Sequence, residues 1–181
     1  HIYGRKYVGA EAFTADDGER WRHHPASLKA MGDTAFCLGI NRFVFHRYAL
    51  QPWLDRRPGM SMGPWGLHYE RTQTWWEQSG PWHTYLARCQ YLLRAGLPVV
   101  DILCLAPEGG PRSFNPPPSL SRTGYKADAC SAEALLQRVT AKKRRLVLPD
   151  GMSYSALVLP GSATMTPQLL TRIQELARAG A

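Results

Sequence analysis

Along this chain, apolar residues switch between short near-continuous runs and helical stripes, and each switch of period predicts an element. Residues 6–12, KYVGAEA, end apolar and predict a short parallel-type strand covered on both faces. A polar loop, DDGERWRHHP, follows, with Pro25 where the first turn of a helix tolerates it. Leu28, Met31, Ala35 and Phe36 then mark the inward stripe of a helix over 26–36, which feeds a second strand over 40–45. Strand, helix, strand implies a parallel pair with a right-handed crossover. A long polar and aromatic loop leads to a helix over 81–95, with Tyr85, Leu86, Cys89, Leu92 and Leu93 as its stripe and Gly96 as its stop.

Beyond Pro98 the pattern changes character. An apolar strand over 99–105 gives way to a Pro-, Gly- and Ser-rich loop over 106–124. A helix over 131–139 has Ser131 as its N-cap and Glu133 in its first turn. Residues 145–148 and 155–159 flank Pro149-Asp150-Gly151 and predict a hairpin. Thr166-Pro167 opens a last helix to residue 179, with Gly180 past its end. The break near 96–98 divides the chain into residues 1–96 and 97–181, and the second part reads as the opening of a separate α/β unit. Because the chain opens at His1 almost inside a strand, a piece of a longer protein is expected.

Composition adds little. The net charge of +8, from 22 Lys and Arg against 14 Asp and Glu, has its densest cluster in Lys142-Lys143-Arg144-Arg145, a solvated turn between a helix and a strand. With no recognition helix, RNP-like motif or Cys/His finger beside it, no nucleic-acid partner is expected. Cys37, Cys89, Cys104 and Cys130 lack metal-site spacing and read as buried thiols. No apolar run is long enough to cross a membrane, so no membrane partner is expected.

The chemistry concentrates after the second strand. His46 ends that strand, and the loop behind it carries Gln51, Trp53, Asp55, Trp65, His68, Glu70, Arg71, Trp75 and Trp76. Four of six tryptophans lie between Trp53 and Trp76. Indole faces stack on the C–H faces of a pyranose while carboxylates, amides and guanidinium groups bond its hydroxyls, so a carbohydrate pocket competes with lid packing, in which Trp75-Trp76 staple the loop down. Glu11 falls at the end of the first strand, on the same rim as His46; as a residue alone it reads first as an ion-paired or capping carboxylate, with catalysis the lesser alternative.

The runs GAEAFT (9–14), HHPASLKAMGDTAFCLGINRFVFHRYALQPW (23–53), PGMSMGPWGLHYERTQTWW (58–76) and YLARCQYLLRAG (85–96) together resemble glycoside hydrolase family 106, the α-L-rhamnosidases. The run DGMSYSALVLPGSATMTPQLLTRIQELARAGA resembles the domain that follows the catalytic barrel there. The resemblance implies the C-terminal part of a (β/α)8 (TIM) barrel, its last two strand–helix units in residues 1–96, followed over 97–181 by the first half of a flavodoxin-like or amidotransferase-like α/β domain. It implies inverting hydrolysis of terminal α-L-rhamnosyl residues from plant polysaccharides or glycosides, with Glu11 as general base and the general acid on an earlier strand of the same parent chain. His46, Trp53, Trp65, His68, Glu70 and Arg71 are then sugar-binding residues, a Ca2+ ion near the sugar is expected with no ligand set assignable here, and the parent is expected to be a periplasmic or extracellular bacterial enzyme. The isolated piece is expected to be inactive. A non-catalytic carbohydrate-binding relative and a related glycosidase such as a β-galactosidase stay open as alternatives.

Overall fold

The computed structural model describes residues 1–16, 18–56, 59–61, 63, 65–109, 120 and 124–181. The chain is mixed α/β and divides into two compact units, Lys6–Gly96 and a second made of Leu97–Ala181 together with His1–Arg5.

In the first unit, strand β1 (Gly9–Ala12) leads to helix α1 (Pro25–Cys37), strand β2 (Arg42–Phe45), a 3-10 turn at Trp76–Gln78 and helix α2 (Gly80–Ala95). The strands pair in parallel with Glu11 opposite Val44 and Ala12 opposite Phe45. Their period of two decides the layers. Ala12, Phe43 and Phe45 pack against a core of Phe13, Leu28, Phe36, Leu67, Tyr69, Trp82 and Leu86, while Gly9, Glu11, Arg42 and Val44 stay exposed. Only one face is therefore covered within this unit, where the apolar runs predict two. Helix α1 lies close on the strands because Gly32 sits in its buried stripe, where an added Cβ would stand 3.4 Å from the Phe13 ring.

Both strands are shorter than predicted, for local reasons. The Asn41 side chain takes the Val8 amide at 2.9 Å and donates to the Lys6 carbonyl at 3.0 Å, while the Val8 carbonyl accepts from both the Asn41 and Arg42 amides, so the regular ladder starts only at Gly9. Ile40 belongs to the end of α1: Gly39, at φ +100°, donates to Phe36 and Ile40 donates to Ala35, which is a Schellman closure. Met31, expected inward, is exposed, as is Cys37, expected buried; the buried stripe of α1 is Leu28, Gly32 and Phe36. On α2 the buried residues are Trp82 and Leu86, and Leu92 and Leu93 at its far end face solvent within this unit.

The second unit contains β3 (Ile102–Leu105), β4 (Ala127–Cys130), α3 (Ala132–Arg138), β5 (Thr140–Lys142), β6 (Arg145–Val147), β7 (Ser153–Tyr154), β8 (Ala156–Val158) and α4 (Pro167–Arg178). β3 is the centre of a parallel sheet in the order β4-β3-β8, and β5-β6-β7 form an antiparallel sheet. Ser131 accepts from the Ala134 amide and Thr166 from the Leu169 amide, so both predicted N-caps operate. The predicted loop over 106–124 lies mostly outside the described residues. The predicted hairpin is corrected in its second arm: only Ser153 and Tyr154 return along β6, and the chain then leaves to pair β8 in parallel with β3. The basic cluster also sits differently, as Lys143 and Arg144, both at positive φ, form the two-residue turn between β5 and β6. His1–Arg5, read from sequence as part of the first unit, belongs to the second. Ile2 enters its core and its carbonyl accepts from Arg138 Nε at 3.0 Å, while His1 Nδ1 lies 2.8 Å from Asp128.

Candidate functional site

Glu11 emerges on the uncovered face at the last turn of the pleat before β1 ends. The next residue but one, Phe13, has φ +62° and turns its ring into the core, 5% exposed, edge-on to Phe43 at 5.2 Å and Phe45 at 5.1 Å. A left-handed phenylalanine costs about 1–2 kcal/mol, comparable to what burial of the ring returns. The turn also aims Thr14 back at the strand, where its hydroxyl donates to the Glu11 carboxylate. A carboxylate oriented by one hydroxyl and open to solvent beyond it has the reach to take a proton from water.

The end of β2 is built from two arms of the long loop. The His46 amide donates to Ala12 at 3.0 Å, extending the pairing past the strands. The returning segment then lies alongside: Gly66 donates to Ala15 at 2.9 Å, Leu67 to His46 at 2.8 Å and Tyr69 to Arg47 at 3.2 Å. Alternation sends Leu67 and Tyr69 into the core and His68 the other way, where it is 2% exposed beneath Trp21, ring centroids 4.5 Å apart. Burial holds the His68 imidazole below its ordinary pKa, opposed by the Gly66 backbone, reinforced by the Arg47 guanidinium and opposed again by Glu70. Gly66, at φ +90°, lets the arms meet: an added Cβ would stand 2.9 Å from His46 Nδ1.

Buried polar atoms without a protein partner gather here. His46 Nδ1, Arg47 Nε and Nη2, Gln51 Oε1 and both His68 ring nitrogens are six of the eight such atoms among the described residues. Native folds leave few of these, and such a concentration marks a segment shaped by something besides folding.

The other sequence-predicted residues fall into two groups. Glu70, 2% exposed, has its carboxylate engaged by the Thr72 amide at 2.6 Å and the Thr72 hydroxyl, and Arg71 Nη2 donates to the Gln51 carbonyl at 2.6 Å. Both shape the loop as they stand. Trp53 and Trp65 are 58% and 51% exposed, and neither ring contacts His46 or His68 among the described residues. Trp75 and Trp76 pack on Tyr69 in the core, which is the stapling role. Burial there pushes the Tyr69 phenol up to about 12. The structure thus brings His46 and His68 together at the β2 end, with Glu11 on the neighbouring strand. Sequence reasoning passed over Arg47 and Trp21; a lone Trp inside an otherwise charged loop was the available signal for the latter.

No three His, Cys, Asp or Glu side chains converge among the described residues in a way that would hold a metal ion. No helix there is long and apolar enough to cross a membrane. A family model described as alpha-L-rhamnosidase, that of glycoside hydrolase family 106, matches residues 1–181. The chain belongs to glycoside hydrolase family 106. This family 106 chain is 37% identical over 181 residues to a protein of Formosa agariphila provisionally named a β-glucuronidase, covering all of this chain and 15% of that one. It is also similar to the solved rhamnosidase from Novosphingobium sp. PP1Y, with a TM-score of 0.85 and 31% identity over all of this chain and 17% of that one. The chain therefore spans less than a fifth of the length of either relative.

Proposed function

We propose that this chain is the base-carrying part of a larger inverting α-L-rhamnosidase, with Glu11 activating the attacking water. The observation that carries the reading is the placement of Glu11, on the one uncovered face of a parallel strand pair and beside a left-handed Phe13, in a chain of a glycosidase family. Such residues, when strained, cluster at functional sites. Two parallel strands, each followed by a helix on the same face, are what two adjacent units of a (β/α)8 barrel supply, and the uncovered face is the one a closed barrel turns inward. The parallel β4-β3-β8 sheet fits the opening of a flavodoxin-like or amidotransferase-like domain.

In an inverting mechanism the acid and base stand roughly 6.5–9.5 Å apart, leaving room for the water between base and anomeric carbon. The acid in this reading comes from an earlier part of the parent polypeptide. His46 binds a rhamnose hydroxyl, His68, buried beneath Trp21, supports that wall of the site, and Trp53 and Trp65 close over the sugar. A calcium ion near the sugar belongs to the reading, and among the described residues no three His, Cys, Asp or Glu side chains converge to supply a full set of ligands for it. A secreted bacterial enzyme acting on terminal α-L-rhamnosyl groups of plant glycans or glycosides is the setting proposed.

The test is hydrolysis of an aryl α-L-rhamnopyranoside by the full-length protein beside its Glu11→Gln variant. Loss of turnover by about 10^3-fold or more with rhamnose binding intact is expected, on the scale of removing a general base and its charge. Wild-type turnover that survives the substitution would move the base elsewhere. No wild-type turnover, with an aryl β-glucuronide or β-galactoside cleaved instead, would change the substrate, and sugar binding without any hydrolysis would favour a non-catalytic relative.

A further inference from the structure

A groove of about 690 Å³ lies beside the proposed rhamnose site, between the loop that follows β1 and the turn that precedes α2. Its walls are two indoles, Trp21 and Trp75, and its polar lining includes Arg22, His24, Gln73 and Gln78. The size falls within the range of about 300–1,000 Å³ typical of small-ligand pockets. None of the six residues in the sugar-binding set read from sequence lines it.

The construction of the groove fits a sugar ring. Trp75 is the fixed wall, with its indole N–H donating to the His23 carbonyl at 3.1 Å and its ring packed on Tyr69 at 5.2 Å. Trp21 is the presented wall: Arg20 and Trp21 both have positive φ, 45° and 62°, which turns the indole out of the loop to a 37% exposed position against His68. Two consecutive non-glycine residues in the left-handed region cost about 1–3 kcal/mol each, so folding alone would favour a loop without them. Arg22 is tied back through Nε and Nη2 to the Glu19 and Gly18 carbonyls, which fixes its guanidinium at the rim. The side-chain amides of Gln73 and Gln78 are left to donate and accept, the pairing that ring hydroxyls require.

We propose that this groove is a second carbohydrate subsite, which takes a neutral pyranose unit of the substrate beyond the rhamnose that is cleaved. The proposal rests on the glycosidase reading above. Trp21 couples the two places, since its indole packs tilted against His68, ring centroids 4.5 Å apart, and it also lines the groove.

The experiment is a binding titration on the full-length protein carrying Glu11→Gln, so that ligands are not turned over, with a rhamnose-terminated oligosaccharide of three or more sugars and with free rhamnose. Trp21→Ala is expected to weaken the oligosaccharide about fivefold to tenfold, the scale of one aromatic stacking contact, and free rhamnose less than twofold. The double variant Gln73→Ala/Gln78→Ala, which disturbs no core ring, is expected to show the same selectivity at about threefold to fivefold. Equal weakening of both ligands by Trp21→Ala would overturn the subsite and make Trp21 a support for His68. Unchanged oligosaccharide binding in both variants would overturn it too. Failure of the rhamnosidase reading is read separately, from the aryl rhamnoside turnover of the wild-type protein.

Discussion

Three glycines in the long loop form a graded test of whether the loop's close approaches hold its residues in place. All three have positive φ: Gly63 at 63°, Gly66 at 90° and Gly59 at 88°. At Gly63 an added Cβ meets nothing within 4 Å, so Gly63→Ala carries only the left-handed penalty, about 1 kcal/mol. At Gly66 the Cβ would stand 2.9 Å from His46 Nδ1 and 3.4 Å from the His46 carbonyl, so the ring must shift; with overpacking added, Gly66→Ala should cost about 2–3 kcal/mol. At Gly59 the Cβ would fall 2.0 Å from Gln51 Oε1 and 2.9 Å from the Leu50 backbone oxygen, which a rotamer change cannot relieve, and the cost should exceed about 3 kcal/mol.

Native-state amide exchange in the full-length protein reads these costs locally. The Leu67 and Tyr69 amides, bonded to His46 and Arg47, report on Gly66, and the Met60 amide, bonded to Leu50 at 2.8 Å, reports on Gly59. With tenfold in exchange for every 1.4 kcal/mol, Gly63→Ala should speed the Met60 amide by at most about fivefold and Gly66→Ala should speed Leu67 about 30- to 150-fold. Gly66→Ala behaving like Gly63→Ala would refute the reasoning, because it would mean that His46 yields freely and that the contact fixes nothing.

Two further outcomes concern the cores. Leu28, fully buried under the strands, should cost about 2–5 kcal/mol as Leu28→Ala, read by chemical denaturation; a loss below about 1 kcal/mol would mean the first unit repacks freely. In the second unit, burial raises the Asp128 carboxyl above its ordinary 3.8, against the pull of the Tyr154 hydroxyl, which donates at 2.8 Å. A folded-state value above the unfolded one gives stability that is complete below about pH 3.8 and lost as pH rises through the raised value. Asp128→Asn removes that loss, so the variant should gain on the wild type as pH rises above about 3.8; a gap that narrows as pH rises from there would contradict the assignment.

Much of the fold was legible because it is written in local chemistry. Pro25, Ser131, Thr166-Pro167 and Gly180 set helix ends by capping and by φ preference, and the structure ends its helices within a residue or two of them. What escaped depends on partners distant in sequence. β4, ADAC, has no period of its own and exists because β3 offers it an edge. Residues 155–159 carry a good hairpin pattern, yet β3 captures them in parallel instead. Met31, Leu92 and Leu93 lie on apolar stripes that nothing in their own unit covers. In the site, residue type pointed to the rim shared by Glu11 and His46, but not to which tryptophans face outward. Trp21, Trp53 and Trp65 differ from Trp75, Trp76 and Trp82 in exposure and not in any local signal.

The anchoring of Ile2 has a consequence for the order in which the chain becomes structured. Its neighbours in the core, among them Leu103, Leu135, Tyr154 and Leu169, are a hundred or more residues away. At ribosomal speeds of about 5–20 residues per second, roughly 10 to 35 seconds separate the synthesis of His1–Arg5 from that of its last partners. Through that interval the Lys6–Gly96 unit can close, but Ile2 waits for the core it packs into. The nascent chain therefore carries Ile2 without these core partners just ahead of Glu11. His1–Arg5, the residues that lead toward the site's first strand, are among the last parts of this chain to be secured.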